Sequence, residues 1–177
     1  MIEVEIRGKL TKEKFLELKN KFEESGKLLE TQDREMIRLF GFSDSDENVV
    51  TRNLDIRIRV TNGQSEIMVK RNLTGDNTAR KEQSFELLNS DIEKAKELVK
   101  VFGISDGRWM HRKKSVFLVN GFEWSLVEAV PDIYYFEVEK VADNIEEIQN
   151  IKEKIIEEIK RCNLTFFSDE EYINFGN

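Results

Sequence analysis

The residues of this chain best equipped for chemistry are carboxylates and bases spaced two apart. Glu3-x-Glu5-x-Arg7 stands near the start, followed by Arg57-x-Arg59, Lys70, Arg80-x-Glu82 with Glu86, Arg112-x-Lys114 and, far along the chain, Glu137-x-Glu139. A spacing of two puts side chains on one face of a β-strand. Four carboxylates from two Glu-x-Glu pairs repel one another when gathered, and their pKa values rise unless a divalent cation sits among them. Magnesium suits such a site, being held by one or two carboxylates together with water and phosphate oxygens. Arginines and lysines facing the acids supply the complementary half, arginine gripping phosphate through its bidentate fork. Acid cluster, metal, polyphosphate and basic cluster then alternate in sign. Phosphoryl transfer needs mainly positioning and neutralisation of charge, which this inventory supplies without a nucleophilic side chain. The attacking group is water or a hydroxyl of the substrate itself.

Composition narrows the alternatives. The 177 residues have the length of a single domain, residues 1–177, with 39% hydrophobic and 36% charged residues. The charged fraction exceeds the usual value of about a quarter. A net charge of −7 argues against nucleic-acid binding, which wants a basic surface. A single cysteine, Cys162, and a single histidine, His111, exclude an intrachain disulfide, a cysteine-based zinc site and a histidine-rich metal cluster. A metal here is held by carboxylates, which favours magnesium, manganese or calcium. The first seven residues lack the apolar core of a signal peptide, and no stretch approaches the ~20 apolar residues of a membrane span. A cytoplasmic protein without a membrane partner is expected.

The elements that must position these charges read as follows. Residues 2–10 alternate as a strand, and Thr11 caps a helix with Phe15, Leu18 and Phe22 on its apolar stripe, ended by Gly26. Residues 34–42 suggest a second strand, and 43–52 a loop. Residues 54–60 alternate cleanly before Asn62-Gly63, a strong hairpin signal because both central residues of a type I′ turn need positive φ. Residues 67–71 return, 74–78 form a loop, and 80–88 make a fifth strand. Ser90 with Glu93 forms a capping box for a helix carrying Ile92, Ala95, Leu98, Val99 and Phe102, stopped at Gly103. Strands at 109–119 and 122–130 flank a second Asn-Gly at 120–121, and an eighth, 134–140, follows Pro131, the single proline. Asp143 with Glu146 caps a helix at 144–162 bearing Ile145, Ile148, Ile155, Ile159 and Cys162, and Ser168 caps a last turn through Glu171. That helix covers the sheet in this reading, with monomer or homodimer left open.

Eight strands can close on themselves, so the expected fold class is α+β: an eight-stranded antiparallel β-barrel with about three flanking helices. The other faces of the cleanest strands are apolar and pack under helices, so the charged faces look either to bulk water or into a lumen. Exposed ion pairs contribute roughly 0–1 kcal/mol each, which does not account for their recurrence on several strands. A charged lumen is costly unless a ligand compensates it, and that points to function. A two-residue turn at Asn62-Gly63 pairs Thr61 with Gln64, Arg59 with Glu66 and Asp55 with Lys70, placing Arg57, Arg59, Glu66 and Lys70 on one face. The same arithmetic at Asn120-Gly121 pairs Lys113 with Glu128 and leaves Arg112 and Lys114 on the face opposite Glu128. Either a β-bulge restores the parity or Lys113 is the inward residue; the bulge is the expectation adopted.

Glu3-x-Glu5-x-Arg7 resembles the opening Glu-x-Glu-x-Lys motif of the CYTH, or triphosphate tunnel metalloenzyme, superfamily. Ile56-Arg57-Ile58-Arg59 resembles its Leu-Arg-x-Arg strand and Val69-Lys70 its inward lysine. Arg80-x-Glu82-x-Ser84-x-Glu86 is similar to its middle acidic strand, Arg112-x-Lys114 to its Lys-x-Arg, and Phe136-Glu137-Val138-Glu139 to its Phe-x-Glu-x-Glu ending, with Glu128 near its aspartate. The resemblance implies a tunnel barrel, Mg2+ or Mn2+, and a triphosphate-bearing small molecule. It implies Glu3, Glu5, Glu82, Glu137 and Glu139 at the metal, Arg7, Arg57, Arg59, Lys70, Arg112 and Lys114 at the phosphates, and Arg7 with Glu128 in catalysis. Arg7 replaces a lysine, Glu128 an aspartate, and Tyr134-Tyr135 a glycine-containing turn; the family's Asp-x-Tyr has no clear equivalent near Asp33. The leading expectation is a metal-dependent triphosphatase acting on inorganic triphosphate, thiamine triphosphate or a nucleoside triphosphate. A class IV adenylate cyclase making cyclic AMP from ATP and a non-catalytic polyphosphate- or nucleotide-binding module are the alternatives. His111, Trp109 and Trp124 read as packing or surface residues.

Overall fold

The computed structural model describes residues 2–39, 54–74, 78–88, 92–101, 107–130 and 132–175. The chain runs β1 (Ile2–Leu10), α1 (Lys12–Ser25), β2 (Lys27–Leu39), β3 (Leu54–Thr61), β4 (Gln64–Asn72), β5 (Ala79–Glu86), α2 (Ile92–Val101), β6 (Gly107–Val119), β7 (Phe122–Ala129) and β8 (Ile133–Ala142). A 3₁₀ turn (Ile145–Glu147), α3 (Ile148–Arg161) and α4 (Asp169–Asn174) complete it. The strands close into an antiparallel barrel in the order β1-β5-β4-β3-β2-β6-β7-β8. No helix among the described residues is long and apolar enough to cross a membrane.

Both hairpins turn on the expected dipeptides. Asn62 and Gly63 have φ of 50° and 84°, and the register Thr61↔Gln64, Arg59↔Glu66 and Asp55↔Lys70 follows from that two-residue turn. Asn120 and Gly121 have φ of 52° and 79°. Here the expected bulge is absent: the β6–β7 register runs unbroken from Val119↔Phe122 to Arg112↔Ala129. Lys113 and Glu128 face each other, both exposed. Arg112 and Lys114 turn inward opposite Ala129 and Val127, so no bulge is needed to bring them into the lumen. The irregularity of β6 lies on its other edge, where β2 shifts register between Leu28 and Glu30.

That shift also explains why β2 begins at Lys27 rather than Arg34. An extra residue in mid-strand breaks the period of two, and the adjacent Leu28 and Leu29 hide the alternation. Residues 40–53, with the end of the expected second strand and the loop after it, lie outside the described residues, as do Ser90, Phe102, Gly103 and Pro131.

The outer wall carries the apolar core. Thr11 caps α1, accepting from the Lys14 N–H at 3.2 Å. α1 buries Phe15, Leu18 and Phe22 against β1, β6 and β8. Trp124 is fully buried, with ring centroids of Phe22 at 5.2 Å and Phe136 at 5.6 Å. α3 adds Ile148, Ile151, Ile155 and Ile159. Its approach differs from the Asp143–Glu146 cap expected: the Asn144 side chain accepts from the Glu147 N–H at 3.2 Å, while Glu147 accepts from the Asp143 N–H. The cap thus opens a 3₁₀ turn, which leaves Ile145 69% exposed. After α3 the chain crosses β1, the Phe167 N–H donating to the Arg7 carbonyl at 2.8 Å. Gly8 permits this crossing, since a Cβ there would collide with the Thr165 carbonyl and the Phe136 ring. The Ser168–Glu171 capping box then starts α4.

Candidate functional site

Parity sends the charged faces of most strands inward, into a cavity of about 170 Å³, to which β7 gives only Glu123. Composition is graded along its axis. β1 passes from Glu3 through Glu5 to Arg7, antiparallel β8 from Glu139 through Glu137 to Tyr135, and β2 from Glu30 through Gln32 and Arg34 to Arg38. One end is acidic and the other arginine-rich.

Glu5, Glu137 and Glu139 each offer a carboxylate oxygen, all within 4.8 Å of one another. Burial pushes Glu139 up to about 7; Lys114 pulls it down, but the carboxylates of Glu5, Glu137 and Glu3 push it further up. Burial also works to raise Glu5 and Glu137, but there cations win. Arg7 and Arg80 bring Glu5 down to about 2, and Arg7, Lys114 and Arg112 hold Glu137 well below the carboxylate range. One oxygen of each, Glu5 Oε1 and Glu137 Oε1, is buried without a hydrogen-bond partner among the described residues. Arg7 lies against both carboxylates, 3.0 Å from Glu137 Oε1, but is not aligned to hydrogen-bond those oxygens. They are the lone pairs a cation would use.

Glu3 and Glu82 sit beside this trio and clasp Lys70, whose Nζ lies 2.8 Å from Glu3 Oε2 and 2.6 Å from Glu82 Oε2. Burial raises Glu3 despite Lys70, with Glu82 and Glu5 adding to the rise. Burial would raise Glu82 as well, but Lys70 and Arg59 bring it to about 2.

The expected phosphate ligands also line the lumen. Lys114 Nζ lies 3.0 Å from Glu137 Oε2. Arg112 donates to the Tyr135 hydroxyl at 2.7 Å and lies 3.6 Å from Glu137 Oε1. Arg59 bridges Glu66 at 2.5 Å and Glu82 at 3.1 Å. Arg57 donates from Nε to Asp55 at 3.0 Å, and Arg38 reaches the same carboxylate at 3.4 Å. Glu128 does not belong with them. It is exposed on the outer face beside Lys113, because the unbroken hairpin register gives it the opposite parity from Arg112 and Lys114. His111 is outside too, paired with Asp33 at 2.6 Å, and Trp109 lies under the Lys96 ammonium at 3.9 Å.

Two lumen residues, Asp55 and Arg34, escaped the sequence reading as site residues, and a third, Arg80, stood there on a charged face without a role. Asp55 shares the parity of Arg57 and Arg59, so its role as their counter-ion was open to inspection. Arg80 stands two residues before Glu82 and reaches Glu5 Oε2 at 3.1 Å. Arg34 stands among consecutive polar residues, Gln32 to Glu35, whose sequence does not say which face is inward. It is 7% exposed and donates from Nε to the Thr61 hydroxyl at 2.8 Å. Among the described residues no carboxylate lies within 4 Å of it. Burial, then the facing guanidiniums of Arg112 and Arg59, push it down to about 9, which still leaves it charged at neutral pH. A buried cation held only by a hydroxyl is a standing demand for an anion.

Set against known proteins, the sequence matches no protein-family model and no curated protein. Solved structures do match. A conserved hypothetical protein of Pyrococcus furiosus is 25% identical over 92% of this chain and 91% of that one, with a TM-score of 0.74. A candidate adenylate cyclase of Vibrio parahaemolyticus is 14% identical over 93% and 90%, TM-score 0.68. A candidate adenylyl cyclase of Hippeastrum, described as having a dominant triphosphatase activity, is 15% identical over 94% and 90%, TM-score 0.56. The fold these structures share with the chain is a closed, eight-stranded, CYTH-like tunnel barrel. At these identities the likeness carries architecture, and chemistry must come from the residues of this tunnel.

Proposed function

We propose that the tunnel binds a triphosphate-bearing molecule together with magnesium or manganese and hydrolyses it, releasing phosphate. The observation that carries this reading is the coexistence, in one enclosed cavity, of carboxylates short of positive charge and of a buried arginine short of negative charge. Glu139, pushed up to about 7, stands for the first, and Arg34 for the second. A cation and a polyanion entering together relieve both.

The metal fits the donor set: three carboxylates, two of them with an unbonded buried oxygen, and no nitrogen or sulfur ligand. Glu5, Glu137 and Glu139 would hold it, with Glu3 and Glu82 alongside. When bound, it would neutralise phosphate charge and polarise the scissile group. Arg34, Arg112, Lys114, Arg57 and Arg59 orient the phosphate chain, and Lys70 joins them when the ligand displaces its carboxylates. Arg7 works electrostatically. Burial opposes its charge, but Glu137 and Glu5 raise its pKa well above the ordinary arginine value, so it takes no proton from water.

Incubating the protein with inorganic triphosphate, thiamine triphosphate and ATP, each with either metal, is expected to release phosphate. The candidate cyclases among the structural neighbours favour one further arm, in which a ribose hydroxyl of ATP gives up its proton to water and attacks the α-phosphorus, breaking the bond to the β-phosphate and expelling pyrophosphate. Cyclic AMP in place of free phosphate would establish that reaction instead. Tight binding with neither product would overturn both and leave a binding module.

A further inference from the structure

Alternate residues of β5 turn their backbones to different neighbours. On the β4 side the Ala79 carbonyl accepts from the Leu73 N–H at 3.0 Å, and the Leu87 N–H donates to the Ser65 carbonyl at 2.8 Å. Both contacts keep the register that sets Ile67 opposite Phe85, so the odd-numbered residues bond to β4. On the other side the Thr78 carbonyl accepts from the Glu5 N–H at 2.8 Å, and Arg80 stands opposite Glu3. The even-numbered residues therefore point toward β1. That pairing stops at Lys81, opposite Ile2, whereas β5 runs on to Glu86. Among the described residues no strand lies beside Glu82, Ser84 and Glu86 on that side. Their N–H and C=O groups form a free edge that closure of the barrel does not remove.

Such an edge is a template for another strand, and proteins commonly blunt it with lysine, proline or a bulge. From Glu82 to Glu86 there is no lysine or proline, and the register with β4 is unbroken. Glu82 and Glu86 lie on the lumen face. The outer face instead shows Phe85, 67% exposed beside Ile67.

The sequence of the edge selects its occupant. A second copy laid antiparallel satisfies the hydrogen bonds in two registers. Centred on Ser84, it sets Glu82 of each copy opposite Glu86 of the other, which like-charge repulsion opposes. Centred on Phe85, it sets Ser84 opposite Glu86 and no acid opposite an acid, with about four backbone hydrogen bonds formed. The two Phe85 rings then face each other as a pair without mutual hydrogen bonds, the kind whose side chains come closest. Apolar area that the single chain leaves in water is covered.

We infer that two copies of this chain associate through β5, edge to edge about Phe85, so that the sheet β3-β4-β5 continues across a two-fold axis. The contact is small, and the dimer is correspondingly weak. It is independent of what the tunnel binds.

Sedimentation velocity of the whole chain tests this. Monomer is expected at roughly 1 µM and mostly dimer at roughly 200 µM. Phe85→Lys and Ser84→Pro should each leave monomer at both concentrations. The proline removes an N–H from the free side alone, and thermal melting checks that both variants are folded. Leu29→Lys, at an apolar residue 41% exposed on β2, should leave the dimer intact. Amide exchange in the unaltered protein supplies a second readout. The Ser84 and Glu86 amides should slow by about tenfold at the higher concentration. Those of Phe85 and Leu87, bonded to β4 in either state, should change by less than about twofold. Monomer throughout, with the Ser84 and Glu86 amides unprotected, would overturn the inference and leave the edge to a strand of another protein. Protection of those amides already at the lower concentration would overturn it as well, because a segment of the same chain then covers the edge. A dimer that survives both edge variants would place the interface elsewhere and reject β5.

Discussion

The hairpins β3–β4 and β6–β7 turn on the same dipeptide with nearly the same backbone angles, φ of 50° and 84° against 52° and 79°, yet they contribute charge to the tunnel in opposite ways. β3–β4 neutralises its arginines within the hairpin: Arg59 meets Glu66 across the pair and Arg57 is held by Asp55 two residues before it, and only Lys70 turns to acids of other strands, Glu3 and Glu82. In β6–β7 the inward partners of Arg112 and Lys114 are Ala129 and Val127. Their carboxylate, Glu137, comes from β8 and is shared with Arg7. On the far side of β6, Arg34 has no carboxylate within 4 Å among the described residues, and only the more distant Glu137 favours its charge. The positive charge least matched by acid thus lies on β2 at Arg34, while Arg57 and Arg59 of β3–β4 are held by acids of their own hairpin that a guest must compete with. A tight turn sets register and nothing more; which side chains fall opposite each other decides whether a hairpin is structural or receptive.

The largest effect that would break this contrast is expected at the shared acid. Glu137→Gln with Glu139→Gln should lower metal-dependent phosphate release by at least about 100-fold, measured by steady-state assay. Unchanged turnover would defeat the assignment of the carboxylates. Next come the arginines, where the two hairpins should separate. Arg57→Met leaves Asp55 buried without its main partner and should destabilise the fold by about 3–5 kcal/mol in chemical denaturation. Arg34→Met removes a buried cation with no carboxylate within 4 Å among the described residues. It should leave stability unchanged or higher while weakening triphosphate binding by roughly 10- to 100-fold, the value of a charge-assisted hydrogen bond or two. Equal destabilisation by both would erase the distinction.

Acid should reveal the self-paired hairpin as well. Burial acts to raise Asp55, but Arg57 and Arg38 outweigh it and hold its pKa well below the usual value. With the folded pKa below the unfolded one, about 3.9, its stabilising contribution is complete above that pH and is lost as pH falls beneath it. The unfolding midpoint should therefore drop more steeply below about pH 4 in the unaltered protein than in Asp55→Asn. The smallest effect is expected at Glu128. Glu128→Gln should change turnover by less than about twofold and stability by less than about 0.5 kcal/mol, and a larger loss would place that carboxylate back in the reaction.

Much of this arrangement could be read from residue order alone. Alternation located seven of the eight strands closely, and the turn at Asn62-Gly63 gave the first hairpin register residue by residue. It also put Arg57, Arg59, Glu66 and Lys70 on one face. What escaped was governed by contacts that local pattern does not record. The register shift near Leu28 breaks the alternation of the first part of β2, the polar run Gln32-Asp33-Arg34-Glu35 does not tell which of its residues faces inward, and at β6–β7 the inward residues are Val127 and Ala129, not Glu128. A cavity at the arginine end is assembled from β1, β2, β3, β6, β7, β8 and the C-terminal segment, and no spacing rule joins those pieces before the barrel closes.

Closure itself is uneven. β1 meets β8 at nine register positions but β5 at only three among the described residues, Ile2 to Val4. Beside those pairs the Glu5 N–H donates to the Thr78 carbonyl at 2.8 Å, and two ion pairs reinforce the seam, Arg80 of β5 to Glu5 and Lys70 of β4 to Glu3. The barrel is in effect a cylinder with a lightly stitched edge. A guest that draws Lys70 away from Glu3 would loosen a stitch as it enters, and one that bridges the same groups would sew it tighter. Amide exchange at Ile2–Val4 and Ala79–Lys81 would therefore register occupancy of the interior before any other backbone in the molecule.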